Sequence, residues 1–342
     1  MRRDTACVLC VAAGLMFGAA TAVSGATTLD KIRAAGTLAC GINVEEVEYS
    51  TEDAHGNHGA FDQDICRALA AAVLGSDAKL SVISFSDERD ALDALRSGKI
   101  AVLATGSANY MNTAKAGFGF GPIVFYDYQG FLANKNMGIK SAKDLAGKKV
   151  CFLGGTEIEI ELQGYMKREK IDWLPFSFQE EGEMEAALVT QNCAAVSADV
   201  SQLAYEQIAF GGTARNFQIL PDVVAKDPLA PTYRIDDPQW AAIVNWTADA
   251  LIQAEESGIT RANVTEMGKS QDPVVQRVLG TWKGYAQYLG LRDGWAADVI
   301  RTVGNYGEIY ERDLGSGSRM KLPRGPNNLW TNGGLIYALP IR

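Results

Sequence analysis

Histidine is almost missing from this chain. Of 342 residues only His55 and His58 carry an imidazole, which leaves little material for a histidine-ligated metal centre. No catalytic-triad motif accompanies them. Basic residues are in deficit as well, 32 Lys and Arg against 41 Asp and Glu, for a formal net charge of −9. An acidic surface argues against nucleic acid or anionic lipid as a partner. After residue 26 no segment reaches ~18 unbroken apolar residues, the length a membrane span needs. Tandem repeats and low-complexity linkers are lacking too.

What is present begins at residue 1. Met1-Arg2-Arg3, an apolar run from Ala6 to Val23 and the small residues Ser24-Gly25-Ala26 have the parts of a cleavable secretory signal. The expected cut follows Ala26, with Ser24 at the −3 position. A protein so exported works where no ATP or NADH pool exists, which removes most enzyme classes. Cleavage at that point leaves 316 of the 342 residues, about two domains at ~150 residues each.

Six cysteines become four after cleavage: Cys40, Cys66, Cys151 and Cys193. An even count in an exported protein suggests disulfides. Four cysteines allow three pairings, and the spacing favours Cys40–Cys66 and Cys151–Cys193, each pair within one predicted domain. No CxxC survives cleavage, so a metal site is not expected, and no cofactor is expected either.

Short apolar runs alternate with amphipathic stretches along the chain. Residues 37–42 read as a strand, and Phe61, Ile65, Leu69 and Val73 recur at helical spacing. Strands over 80–84 and 100–104 flank a helix over 91–97 that Gly98 ends. This β-α-β-α-β order predicts a parallel sheet flanked by helices. A second unit starts near 140, with a short capped helix at 141–145 and a strand at 149–153. The turn Gly154-Gly155-Thr156 leads into a helix over 157–168, then come a helix over 183–190 and a strand over 194–198.

The predicted class is therefore α/β, a two-lobe clamshell with two extended hinge crossovers, near 128–133 outward and 230–234 back. Residues 27–130 and 235–342 would form a discontinuous first lobe, and 131–234 the second. Helices over 240–254 and 276–288 would pack the tail on the first lobe. Such a receptor binds a small ligand between its lobes, at strand ends and helix starts.

The residues then match a known family. Leu29-Asp30-Lys31-Ile32-Arg33-Ala34-Ala35-Gly36-Thr37-Leu38, Phe61-Asp62-Gln63-Asp64-Ile65-Cys66 and Ser141-Ala142-Lys143-Asp144-Leu145 resemble the periplasmic substrate-binding proteins of ABC importers for polar amino acids (solute-binding protein family 3). The blocks Asn305 to Arg312 and Pro323 to Trp330 resemble its general L-amino acid subgroup, and the four cysteines fall where that subgroup has them. The resemblance covers nearly all of 29–342. It implies a periplasmic, non-enzymatic receptor that delivers an amino acid or related amine to an inner-membrane ABC permease. A monomer suits such a clamshell.

The resemblance also supplies candidate ligand contacts. The family's run of Ser and Thr followed by an arginine corresponds here to Ala104-Thr105-Gly106-Ser107-Ala108-Asn109-Tyr110-Met111-Asn112. Thr105 and Ser107 keep hydroxyls, but Asn112 stands at the arginine position, and Lys115 is the nearest cation. An arginine there would fork onto a ligand carboxylate. In the second lobe Gly155-Thr156-Glu157 resembles Gly-Thr-Thr, so Thr156 keeps its place and Glu157 would repel a carboxylate. Asp199 matches the acid used for the ligand ammonium. Tyr49, preceded by Glu45, Glu46 and Glu48, could stack on a cation. The ammonium half of the site thus looks intact and the carboxylate half degraded.

Two other readings compete. The same fold hosts cyclohexadienyl dehydratases, for which Glu157, if buried, is the candidate general acid. A ligand-loaded sensor for a membrane receptor is the other. The segment His55-Gly56-Asn57-His58 reads as a hairpin turn rather than a metal site.

Overall fold

The computed structural model describes residues 26–43, 51–52, 58–76, 78–114, 116–280 and 283–341. Among them, ten strands join into one mixed sheet. Its path runs β4 (Lys79–Phe85), β1 (Thr37–Asn43), β5 (Val102–Ser107), β12 (Ala225–Arg234), β7 (Phe125–Asn134), β10 (Ala195–Asp199), β8 (Lys149–Leu153), β9 (Leu174–Phe178). Two short strands lie off this path: β6 (Phe118–Phe120) pairs with β12, and β11 (Phe217–Ile219) with β7. A separate ribbon pairs β2 (Thr51–Glu52) with β3 (His58–Gly59). It flanks the predicted hairpin turn, most of which lies outside the described residues.

The two ends of the path are parallel, as the alternating pattern predicts. Strand β1 pairs in parallel with both β4 and β5, and β8 pairs in parallel with β10 and β9. Between them run the two crossovers. Strands β7 and β12 are ten residues each and pair antiparallel with one another from Phe125↔Leu229 to Gln129↔Ala225. The crossovers are extended, and they also hydrogen-bond to each other, so one sheet continues through the middle of the molecule.

Apolar burial divides on either side of that middle. One core gathers Leu38, Ile42, Phe61, Ile65, Leu69 and Val102 with Trp240, Val244, Tyr306 and Tyr310 from the tail. Two others gather Phe131, Val150, Phe152 and Leu162, and Leu132, Val196, Leu203 and Phe217. The helix Phe61–Leu74 forms because apolar residues recur on one side, and Phe61, Ile65, Leu69 and Val73 are all buried. The helix Glu88–Ser97 starts at Asp87, whose carboxylate accepts the Arg89 N–H, and stops at Gly98 in the left-handed region.

One predicted helix is absent as drawn. Residues 276–288 do not form a single helix: Pro273–Val278 is helical, a glycine at positive φ follows at 280, and Ala286–Leu289 is a 3-10 turn. Gly280 and Gly284, both at positive φ, break a pattern whose apolar spacing alone favours continuation. The tail is held by Tyr306, whose hydroxyl donates to the Val124 carbonyl at 2.8 Å, and by a capping box at Asn305 and Glu308. The Arg312 guanidinium bonds Asp64 of the helix Phe61–Leu74 and Asp313 beside it. Each half of the sheet carries one disulfide, Cys40–Cys66 with Cα atoms 6.0 Å apart and Cys151–Cys193 at 5.9 Å. No helix among the described residues is long and apolar enough to cross a membrane.

Candidate functional site

The site forms where β5 ends against the crossovers. Strand β12 lies antiparallel to β5 with Leu229 opposite Ser107 and Ala230 opposite Gly106. Gly106 is required by packing, since a Cβ there would sit 2.5 Å from the Thr232 hydroxyl. Its smallness lets β12 approach, and that approach brings Asp227 to Ser107. The Ser107 hydroxyl donates to Asp227 Oδ2 at 3.3 Å, and the Ser107 N–H donates to Glu88 Oε1 at 2.8 Å. Asn112 turns its amide back onto the same loop and donates to the Ser107 carbonyl at 3.0 Å. The Thr105 hydroxyl points to the core side and donates to buried Asp62 at 2.6 Å.

Across the crossovers the chain of polar groups continues. Asp227 stands opposite Asp127 in the β12–β7 pairing. Asp127 is buried and accepts bonds from the Tyr128 N–H at 2.8 Å and from the hydroxyl and N–H of Ser201. Ser201 lies in the first turn of the helix Val200–Ala209, so the Asp127 carboxylate meets the positive end of that helix. Asp199 ends β10, opposite Gln129, and occupies the helix N-cap position with extended backbone, but its side chain makes no cap bond.

The second-lobe turn packs on the crossover from the other side. Gln129 donates through Nε2 to the Ile158 carbonyl and to the Ser197 hydroxyl, each at 2.9 Å. Gly155 adopts φ +77°, a value that favours glycine, and opens the helix Glu157–Arg168. Its N–H donates to Glu159 Oε2 at 2.8 Å, while the Thr156 hydroxyl donates to the Leu153 carbonyl at 2.8 Å. Thr156 and Glu157 are exposed. Glu157 therefore lacks the burial that a general-acid role requires.

The electrostatics are one-sided. Burial pushes the Asp127 carboxyl up to about 6, partly offset by Ser201 and Tyr128, and Asp227 adds repulsion. Asp227 is also raised, by burial first, with the Ser107 bond opposing. Glu88 keeps an exposed edge, yet its carboxyl is raised, chiefly because protein surrounds the charged end. The Ser107 N–H opposes this, and Asp227 and Asp87 add to it. None of the three has an ion-pair partner among the described residues.

Of the residues expected at the site, Ser107 and Asn112 come together, and Thr105 lies two residues earlier on β5. Thr156 and Glu157 stand at the start of the helix Glu157–Arg168, and Asp199 at the end of β10. Tyr49, Lys115 and the glutamates at 45, 46 and 48 lie outside the described residues. Sequence reasoning missed Glu88, Asp127, Asp227, Ser201 and Gln129. A signal existed in Phe125-Tyr126-Asp127-Tyr128, where one acid interrupts an aromatic strand. By reach alone, Glu181, Glu185 and Glu206 could share a cation, their oxygens lying within 4.8 Å of one another; Gln202 already donates to Glu181.

Residues 77–227 match the family described as NMT1/THI5 like. The chain is 41% identical over 334 residues to the general L-amino acid-binding periplasmic protein AapJ of Rhizobium johnstonii, covering 97% of each. It is 36% identical over 332 residues to the glutamate/glutamine/aspartate/asparagine-binding protein BztA of Rhodobacter capsulatus, covering 96% of each. Among solved structures, an ABC transporter periplasmic binding protein from Brucella ovis with glutathione bound superposes with a TM-score of 0.84 at 37% identity, over 93% of this chain and 100% of that one. With a two-lobe fold and full-length likeness at this level, the chain belongs to the periplasmic amino-acid-binding proteins of ABC transporters.

Proposed function

We propose that this protein is an extracytoplasmic receptor that closes its two lobes on an amino acid or related amine-bearing solute and hands it to an inner-membrane ABC permease. The observation that carries this reading is the polar chain at the crossovers. Glu88, Ser107 and Asp227 on one side run to Asp127 and Ser201 on the other. Ligand contact there touches both lobes and both crossovers at once, which is what hinge closure needs. The relatives' names, for general L-amino acids, for acidic amino acids and their amides, and with glutathione bound, support an amino-acid-like ligand.

In this reading residues 27–130 and 235–342 form the first lobe and 131–234 the second, in keeping with the separate cores. Residues 1–26 act as the cleaved export signal, and the mature receptor works as a periplasmic monomer. The family resemblance implies ligand contacts at Tyr49, Thr105, Ser107, Asn112, Lys115, Thr156, Glu157 and Asp199, of which Thr105, Asn112 and Thr156 direct their side-chain donors to groups of this chain. We read the chain as a carrier rather than an enzyme, because its relatives are binding proteins and Glu157 is exposed.

A thermal-shift screen of the purified chain from residue 27 onward tests this, with L-amino acids, glutathione, polyamines and guanidines as probes. A ligand at 100 times its Kd adds about 2.7 kcal/mol and raises the melting temperature measurably. No shift with any of these probes would refute the receptor reading, and conversion of a probe to product would refute the carrier reading.

A further inference from the structure

Two backbone N–H groups at the candidate site bear on the binding of an anion. One is Ser107 N–H at the end of β5, and the other is Gly155 N–H at the turn that opens the helix Glu157–Arg168, a position where the helix field favours negative charge. Each is already taken by a carboxylate of this chain: Glu88 Oε1 at 2.8 Å from Ser107 N and Glu159 Oε2 at 2.8 Å from Gly155 N. Glu159 is further tied by the Gln163 amide at 3.0 Å. The side chains that could replace these donors are engaged within this chain. Thr105 donates to Asp62, Thr156 to the Leu153 carbonyl and Asn112 to the Ser107 carbonyl. Meanwhile the crossing carries Glu88, Asp227 and Asp127 with no ion-pair partner among the described residues.

We propose that this cleft selects its ligand through a cationic group, and that Glu88 and Glu159 are specificity-determining residues that withhold the two backbone anion donors from a ligand carboxylate. The ligand class is an organic amine or guanidine, in which a free α-carboxylate adds little. This rests on the receptor reading above. A carboxylate entering the cleft would have to displace Glu88 or Glu159 and would face Asp227; a guanidinium or ammonium would neutralise the acids already present. Like charge set against like charge is the discriminator here.

The test is calorimetric titration of the purified protein, cleared of co-purified solute, with four probes. Agmatine and L-arginine share a guanidinium and differ in the carboxylate. L-Glutamine has an ammonium and a carboxylate, and N-acetyl-L-glutamine only the carboxylate. The expected result is that agmatine binds within about tenfold of L-arginine and that N-acetyl-L-glutamine does not bind. In Glu88→Ala, agmatine weakens by about tenfold and L-glutamine strengthens by a similar factor. Glu159→Ala strengthens L-glutamine likewise. Ligand-free melting curves establish that each variant is folded. Binding of L-glutamine without agmatine would overturn the inference and leave the receptor reading standing. So would an unchanged or parallel response of both ligands to Glu88→Ala. Failure of every probe would overturn both.

Discussion

Asp127 and Asp227 stand directly opposite each other on the two crossover strands, each held by a serine from a different side, Ser201 for Asp127 and Ser107 for Asp227. Two carboxylates facing across one strand pair repel each other, and here the backbone pairing fixes them in place. The arrangement is an electrostatic strain built into the strand pair.

That strain has a pH signature. Asp127 is raised from 3.8 to about 6, mainly by burial, with Asp227 from β12 adding repulsion and Tyr128 and Ser201 donating to it. A carboxyl raised on folding keeps a proton that the unfolded chain has released. Its contribution is therefore fully present below about pH 4 and is lost as pH rises through about 6. The difference amounts to about 3 kcal/mol for this one group. Asp249, also raised to about 6 by burial, acts in the same direction. The ligand-free protein should melt at a higher temperature at pH 5 than at pH 7.5. Asp127→Asn should raise the pH 7.5 melting temperature and flatten part of the dependence. An Asp127→Asn protein with the parental pH profile would show that Asp127 ionises without cost.

The two disulfides should contribute separately, since each lies in its own core. Cys40–Cys66 closes a separation of 26 residues and Cys151–Cys193 one of 42. By the loop-entropy argument each should stabilise by about 3–4 kcal/mol. Cys66→Ser and Cys193→Ser should each lower the denaturation midpoint by a comparable amount, and the double variant should lose about the sum. Peptide mapping under non-reducing conditions should recover the two pairs as drawn. Recovery of crossed pairs, or no loss in either single variant, would count against this assignment.

Gly106 is the place where a single methyl should do most harm near the site. A Cβ there lies 2.5 Å from the Thr232 hydroxyl and 3.2 Å from the Leu103 side chain, and both neighbours are buried. Gly106→Ala should cost about 1–3 kcal/mol through overpacking, push β12 from β5 and weaken ligand binding with it. Gly164→Ala, with nothing within 4 Å of the added atom and a position inside a helix, should instead be neutral or stabilising by up to about 1 kcal/mol. Denaturant melts of both variants separate the two cases; equal outcomes would contradict the packing argument.

The strands and helices that periodicity exposes were largely legible in the sequence. Thr37–Asn43, Phe61–Leu74, Lys149–Leu153 and Glu157–Arg168 each show either a short apolar run or helical spacing, so local pattern and tertiary burial agree. The pairing of β7 with β12 was not legible. It joins residues about 100 apart, and no local period encodes a partner at that distance. For the same reason Glu88, Asp127 and Asp227 escaped notice: each is an ordinary acid in its own segment and acquires meaning only when Ser107 is brought beside it. Asn112 and Glu157 were legible because a resemblance marks where other residue types would stand.

Asn112 offers the sharpest separation between the cleft's two specificities. Its backbone N–H donates to Asn109 Oδ1 at 2.9 Å and its side chain donates to the Ser107 carbonyl, so a longer side chain at this position would begin beside Ser107, which bonds Glu88 and Asp227. Asn112→Arg adds a planar fork that could meet a ligand carboxylate bidentately. In the parental background, however, Glu88 competes for that guanidinium. The single variant should therefore gain only about tenfold in affinity for L-glutamine, and Asn112→Arg with Glu88→Ala about a thousandfold, above the roughly hundredfold product of two separate tenfold gains. That combined gain should exceed the product of the separate effects only if the two residues act on each other, which a double-mutant cycle measures directly. Agmatine should move the opposite way in both variants. A single variant that already binds L-glutamine as tightly as the double one would mean that Glu88 does not guard the Ser107 N–H, and that the missing arginine alone sets what this cleft accepts.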